Sequence, residues 1–256
     1  MSKALAAIEV NPVNFTNSLK VVINVLFLKI VESGFVLVQT SLSSKFASNT
    51  LIEYFNEGRY FTKCTILNAG EFQYCSNLKE CHMGYALKTA NSEGFHPFRD
   101  CGNLHKVNLR SMAFVGTTLT INANRSMFYK CGSLKRLILP SVTNARVLAD
   151  SSTSALSLTM YDIGPNCVNI NLTRINTSTG VLIMRGAPAT VQGTPTWPSK
   201  IFVPSNYLEQ YKEATTWVNA SSKIYEIGGA EWVAEYGSSN AYANLTEQEY
   251  AENYAE

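Results

Sequence analysis

The sequence predicts a mainly β repeat protein, a solenoid of stacked coils closed by a helical cap. Three observations predict it. A twelve-residue pattern recurs three times in the middle of the 256-residue chain. Charged residues make up only 16% of the composition, with Asn, Ser and Thr in their place. Such a composition suits turn-rich β structure and not a helical bundle, whose outer faces need Glu and Lys. Near residue 205 the apolar spacing changes from alternation to a helical period just after a proline.

The pattern is seen in residues 72–83 (FQYCSNLKECHM), 98–109 (FRDCGNLHKVNL) and 128–139 (FYKCGSLKRLIL). All three fit F-x-x-C-x-x-L-x-x-φ-x-φ, where φ is apolar or Cys, with starts 26 and 30 residues apart. The φ-x-φ end reads as a short strand whose alternate residues point inward. Phe, Cys and Leu are the other inward positions. One such coil buries little, but stacked coils bury a continuous core and pair their strands edge to edge. The unequal spacings place loops of different length on the face away from the strands.

Further along, the pattern decays. Cys167, Ile170 and Leu172 keep a remnant of it, and 181–184 reads as another strand. Ile201-Phe202-Val203-Pro204 reads as the last strand, closed by a Pro that cannot extend a ladder. From Ser205 a helix is expected, with Tyr207, Tyr211, Ala214 and Val218 on one face, laid over the open end of the solenoid. At the other end, Leu19, Val21, Ile23, Val25 and Phe27 fall on one face of a strand. The apolar run around them contains Asn24 and Lys29 and is too short and polar to span a membrane. No signal peptide is visible, so export by the ordinary route, a membrane anchor and membrane insertion are not expected. These features divide the chain into an attachment or capping segment (1–45), the solenoid with its cap (46–227) and an acidic, aromatic tail (228–256). The tail holds six acids and no Lys or Arg, leaving 21 bases and 13 acids, a net +8, in the first 227 residues. That excess is too diffuse to imply nucleic acid as a partner.

The coil, best seen as FYKCGSLKRLILP, resembles the BspA-like leucine-rich repeats. The segment KIFVPSNYLEQYKEATTWVNASSKIYEI is similar to the terminal segment common in that family, in its VP, its YK, its Trp and its final I-x-x-I. The resemblance covers about residues 60–227. It implies a leucine-rich-repeat solenoid with irregular coils and a non-enzymatic surface or adhesion role. Similar modules occur in bacteriophage proteins. The family has no catalytic residues to carry over.

Cys75, Cys101 and Cys131 share one coil position and should form a column inside the solenoid. Three stacked equivalents cannot all pair, so reduced core residues are expected. Cys64, Cys81 and Cys167 form no C-x-x-C, so no metal site is expected. The repeat frame separates the histidines: His105 aligns with Lys79 and Lys135 at a solvent-facing position, His82 with Asn108 and Ile138 on the outer strand face, and His96 lies in a loop. No hydrolase, nucleotide-binding or zinc-protease motif occurs, so neither a catalytic residue nor a cofactor is expected.

The outer strand face is the expected binding surface. Alternation places Glu80, Lys106 and Arg136 in one column and His82, Asn108 and Ile138 in the next. Arg110 lies in a third, and Lys79 flanks the first. The sum is basic, which suits an anionic glycan or an acidic protein surface, and the plain alternative is an ordinary solvated sheet face. In the tail, Trp232 and Tyr236 are four apart, as are Tyr250 and Tyr254. Thr246-Glu247-Gln248-Glu249 fits a capping box. Two short acidic helices with aromatic stripes are expected, docking on a partner or folding back as an extra cap, with a frayed terminus as the plain alternative. The functional expectation is a bacteriophage virion component (tail, fibre or decoration) that binds a host surface or other virion proteins, with a homo-oligomer among the expected assemblies. The alternative is a bacterial cell-surface adhesin binding host protein or glycan. An enzyme of unrecognised type has no positive feature in its favour.

Overall fold

The computed structural model describes residues 46–55, 72–82, 97–110, 118–122, 128–139, 143–148, 158–172 and 180–241. The strand expected at 19–27, and Tyr250 and Tyr254, lie outside these residues. The described chain forms twelve short strands: β1 (Tyr54–Phe55), β2 (Glu80–His82), β3 (Lys106–Asn108), β4 (Thr118–Asn122), β5 (Arg136–Ile138), β6 (Asn144–Leu148), β7 (Met160–Ile163), β8 (Asn169–Asn171), β9 (Val181–Met184), β10 (Thr190–Gln192), β11 (Lys200–Val203) and β12 (Ile224–Glu226). They make two parallel sheets. The first runs β1-β2-β3-β5-β7-β9-β11-β12, and the second runs β10-β8-β6-β4. From β3 to β11 the chain alternates between the sheets. Parallel pairing with such alternation is a β-solenoid, in which each coil contributes a strand to each sheet.

The repeat stacks in the register its spacing predicts. Glu80 pairs with Lys106 and Lys106 with Arg136, Cys81 with Val107 and Val107 with Leu137. Phe72, Phe98 and Phe128 are buried, and their rings stack at 5.7 and 5.5 Å with interplanar angles of 9° and 2°. Leu78, Leu104 and Leu134 are fully buried. One coil more is present than the pattern search finds. Phe46 stacks on Phe72 at 5.2 Å, and Phe55 pairs with Cys81. Residues 46–55, FASNTLIEYF, are therefore a first coil with Asn49 at the Cys position and Ile52 at the Leu position. The Asn for Cys exchange hides it from a pattern anchored on cysteine.

Each of these coils turns in the same way. Ser48, Tyr74, Asp100 and Lys130, which precede the Asn or Cys position, have φ between 58° and 63°. In this left-handed conformation the backbone N–H points along the solenoid axis. Ser48 N–H donates to Gln73 O, Tyr74 N–H to Arg99 O and Asp100 N–H to Tyr129 O, at 2.7 to 2.9 Å. The axial hydrogen bond offsets the roughly 1–2 kcal/mol that a non-Gly residue loses there. The cysteine thiols reach the other way. Cys75, Cys101 and Cys131 Sγ donate to the Phe46, Phe72 and Phe98 carbonyls at 2.9, 2.9 and 3.0 Å. Asn77 and Asn103 Nδ2 likewise donate to Thr50 O and Ser76 O, each at 2.8 Å. The pattern residues thus link coils through hydrogen bonds as well as packing.

Three expectations are corrected. The remnant at 167–172 belongs to the second sheet: Ile170 is the inward residue of β8, and the first-sheet strand of that coil is β7. Among the described residues the last strand is β12, not β11; Ile201 pairs with Ile224 and Val203 with Glu226. The cap is not one helix. A 3-10 turn (Ser205–Tyr207) leads into α1 (Leu208–Glu213), and a second 3-10 segment (Val218–Lys223) follows. Val218 is exposed, and Trp217 beside it is fully buried. Trp217 Nε1 donates to Ala189 O at 2.6 Å, and Tyr211 OH donates to Ala187 O at 3.0 Å. Capping aromatics that carry their own donors satisfy carbonyls at the solenoid end while covering its core.

Candidate functional site

Alternation along the first sheet sends Cys81, Val107, Leu137, Tyr161, Leu182, Ile201 and Ile224 inward, and all are buried. Their neighbours form the outer face, where the columns Glu80-Lys106-Arg136-Met160-Val181-Lys200 and His82-Asn108-Ile138-Asp162-Ile183-Phe202 are in register. The expected columns are therefore real, but the expected open surface is not. Glu80, His82, Lys106, Asn108 and Ile138 are each 5% exposed or less. Among the described residues of these columns Arg136 is exposed, and on the flank Lys135 is exposed and the side chains of Lys79 and His105 are each 41% exposed.

The charges on this face are paired within it. Lys106 Nζ lies 3.3 Å from Glu80 Oε2, His105 Nε2 lies 3.1 Å from Oε1, and His82 Nε2 lies 3.4 Å from Oε2. Burial alone would raise the Glu80 carboxyl, but the His82 contact, the Lys106 charge and hydrogen bond and the His105 contact bring it down to about 2. Burial pushes His82 below its ordinary value, so its ring stays neutral beside that carboxylate. Further along, Asp162 is buried between two arginines. Arg185 Nη2 lies 2.7 Å from Asp162 Oδ2, and Arg110 Nη2 bonds Oδ1. Burial raises the Asp162 carboxyl, and the two guanidinium charges outweigh it and hold it low. Lys106 and Arg110, expected to face a ligand, thus neutralise acids of their own chain. A buried charge without such a partner costs several kcal/mol.

The C-terminal segment covers the other half of the face. Helix α2 (Ala230–Tyr236) follows a turn at Gly228, whose φ of +83° suits glycine, and ends at Gly237 with φ +78°. Trp232 is fully buried against Phe202, with rings 5.0 Å apart at 86°, and Arg185 lies 5.8 Å over the indole. Ile138, Met160, Val181, Ile183, Phe202, Trp232 and Ala241 form one apolar cluster, with Tyr236 packed on it. Lys200 Nζ contacts Glu231 at 3.3 Å and Glu235 at 3.1 Å. Trp232 and Tyr236 thus pack on the outer face of their own solenoid.

The second sheet presents a different surface, one that reading the Phe-Cys-Leu pattern misses. Its register aligns Thr118-Asn144-Asn169-Thr190 in one column and Thr120-Arg146-Asn171-Gln192 in the next. Between them Ala145, Ile170 and Val191 are buried. Thr190 and Gln192 are exposed, and Asn144, Asn169 and Asn171 are half-buried. Asn169 Nδ2 donates to Asn144 Oδ1 at 2.7 Å, holding neighbouring amides in line across two coils. The signal was present as polar-apolar-polar triplets: T-L-T, N-A-R, N-I-N and T-V-Q.

Cys75, Cys81, Cys101, Cys131 and Cys167 are buried and in no disulfide among the described residues, and burial pushes the Cys131 thiol up to about 12 and Cys167 up to about 11. Cys64 and His96 lie outside the described residues. Among the described residues no group of three or more His, Cys, Asp or Glu is arranged to hold a metal ion, and no helix is long and apolar enough to cross a membrane. Neither protein-family models nor curated protein sequences match the chain.

Proposed function

We propose that the chain is a non-catalytic recognition or structural protein, a tail, fibre or decoration component of a bacteriophage particle that binds a host surface or other virion proteins. One observation carries the reading: coil stacking sets polar residues at registered positions across the four strands of the second sheet, with Thr190 and Gln192 exposed. A surface that repeats at the strand spacing suits a partner that repeats too, and it offers weak contacts in number instead of one deep site. The resemblance of the coils to BspA-like leucine-rich repeats supports the same reading. Several copies acting together would multiply such contacts, so a ring or a trimer is expected. Native mass spectrometry and negative-stain imaging of the full chain test this. A strictly monomeric protein would move the reading to the alternative, a bacterial surface adhesin that binds host protein or glycan.

A further inference from the structure

We infer that the outer face of the second sheet binds an uncharged polysaccharide that runs across the strands. The inference rests on the recognition reading above and adds to it a face and a ligand chemistry. Two outer sheet faces exist. The first is buried along most of its length, and its acids and bases are satisfied by each other. On the second, Thr190 and Gln192 are exposed and Asn144, Asn169 and Asn171 are half-buried. Its register positions hold three threonines, one glutamine and three asparagines (Thr118, Thr120, Thr190, Gln192, Asn144, Asn169 and Asn171), with Arg146 as the single charge.

That inventory selects the ligand. A primary amide both donates and accepts, and so does a hydroxyl, which makes them complementary to sugar hydroxyls. An anionic polymer needs a same-sign array, and one arginine in eight positions does not make one. A protein partner is held chiefly by a cluster of aromatic and arginine anchors, and these two columns hold no aromatic residue and a single arginine. The spacing repeats: strands lie roughly 4.7–4.9 Å apart, and alternate residues about 6.6–6.8 Å along each strand. The Asn169–Asn144 hydrogen bond, 2.7 Å, sets part of this array before a ligand arrives, which reduces the ordering cost of binding.

The test uses the full chain in native gels that contain dissolved galactomannan, dextran or a β-glucan, with dextran sulfate as the charged probe. At least one neutral polymer should retard the protein, equally at low and high salt. Thr190→Ala combined with Gln192→Ala should weaken that retardation by about fivefold or more, the effect of losing roughly one hydrogen bond, at an unchanged melting temperature. Lys135→Glu with Arg136→Glu, on the other sheet, should leave it unchanged. Retardation by dextran sulfate alone overturns the inference, as does neutral-polymer binding that survives the Thr190 and Gln192 changes. Attachment to bacterial cells is measured alongside. Attachment without binding to any neutral polymer overturns this inference and leaves the recognition reading standing; absence of both overturns the two together.

Discussion

Each N-terminal coil turns on a residue at positive φ followed by a side chain that hydrogen-bonds to the backbone. Cys serves at three of these positions, where a buried thiol donates to a phenylalanine carbonyl. Asn49 serves at the first, where its Oδ1 accepts the Leu51 N–H at 2.9 Å. The leucine three residues on is the packing centre of the coil. Leu104 has no exposed surface, so Leu104→Ala should cost about 2–5 kcal/mol in chemical denaturation; a loss below about 1 kcal/mol would contradict its place in the stack. Tyr161 offers the opposite case. Its hydroxyl is buried and finds no hydrogen-bond partner among the described residues. Tyr161→Phe should therefore leave stability unchanged or raise it by about 1 kcal/mol, read as a higher melting temperature. Acid should act through Glu80 and His82. The Glu80 carboxyl is lowered from 4.5 to about 2, so its contribution is present above 4.5 and lost as pH falls from there towards 2. His82 is lowered from 6.5, so the unfolded chain takes up a proton first and stability also declines as pH falls through 6.5. The melting temperature should fall gently below about pH 6.5 and steeply below about pH 4.5. Glu80→Gln should lower it at neutral pH and flatten the acid limb.

At the scale of elements, the decisive contact is α2 against the outer face of the first sheet. A seven-residue helix is too short to be stable alone. It is held by Trp232 on Phe202 and by Lys200 against Glu231 and Glu235. The two acids lie four apart, so one lysine of β11 reaches both. Trp232→Ala should remove the anchor, cost about 3–5 kcal/mol and expose the Gly228–Gly229 connection. Limited proteolysis should then cut near these glycines, and a hydrophobic dye should bind the uncovered Ile138–Phe202 strip. Wild-type resistance in the variant would show that the ion pairs alone hold the helix. The same element explains why Arg185 is needed: it pairs with Asp162 and lies over the Trp232 ring. Strand, ion cluster and helix are thereby coupled.

For the whole molecule, a solenoid folds as a stack of units that each need a neighbour, so its ends must be closed. Trp217 and Tyr211 close the core at one end through bonds to Ala189 and Ala187 carbonyls, and β12 covers the edge of β11. A chain ended after Pro204 should lose its single cooperative transition and aggregate, as followed by circular dichroism and light scattering. A soluble, cooperatively folding truncation would assign closure to another segment. Gly186 marks how closely coils approach: a Cβ there would lie 1.9 Å from the Pro165 carbonyl oxygen. Larger side chains at Gly186 require the coils to part.

The sequence by itself determined the coil, its stacking register and the position of the cap. Those follow from inward residues that recur at fixed offsets, and burial of Phe, Cys and Leu follows from their three-residue spacing in each coil and the hydrophobic effect. It also carried strand 181–184, a run apolar on both faces because both are buried in this fold. Tertiary structure alone decided which outer face is open. Alternation shows that Glu80, Lys106 and His82 point away from the core, but nothing local tells whether another layer lies beyond them. Polar side chains at those positions read as solvated because burial of charge is costly without partners. The partners come from other coils: Lys106 for Glu80, and Arg110 and Arg185, 52 and 23 residues away, for Asp162. Pairing over such separations has no sequence period, so the closed face and the open, amide-lined one become distinguishable only when the coils are stacked.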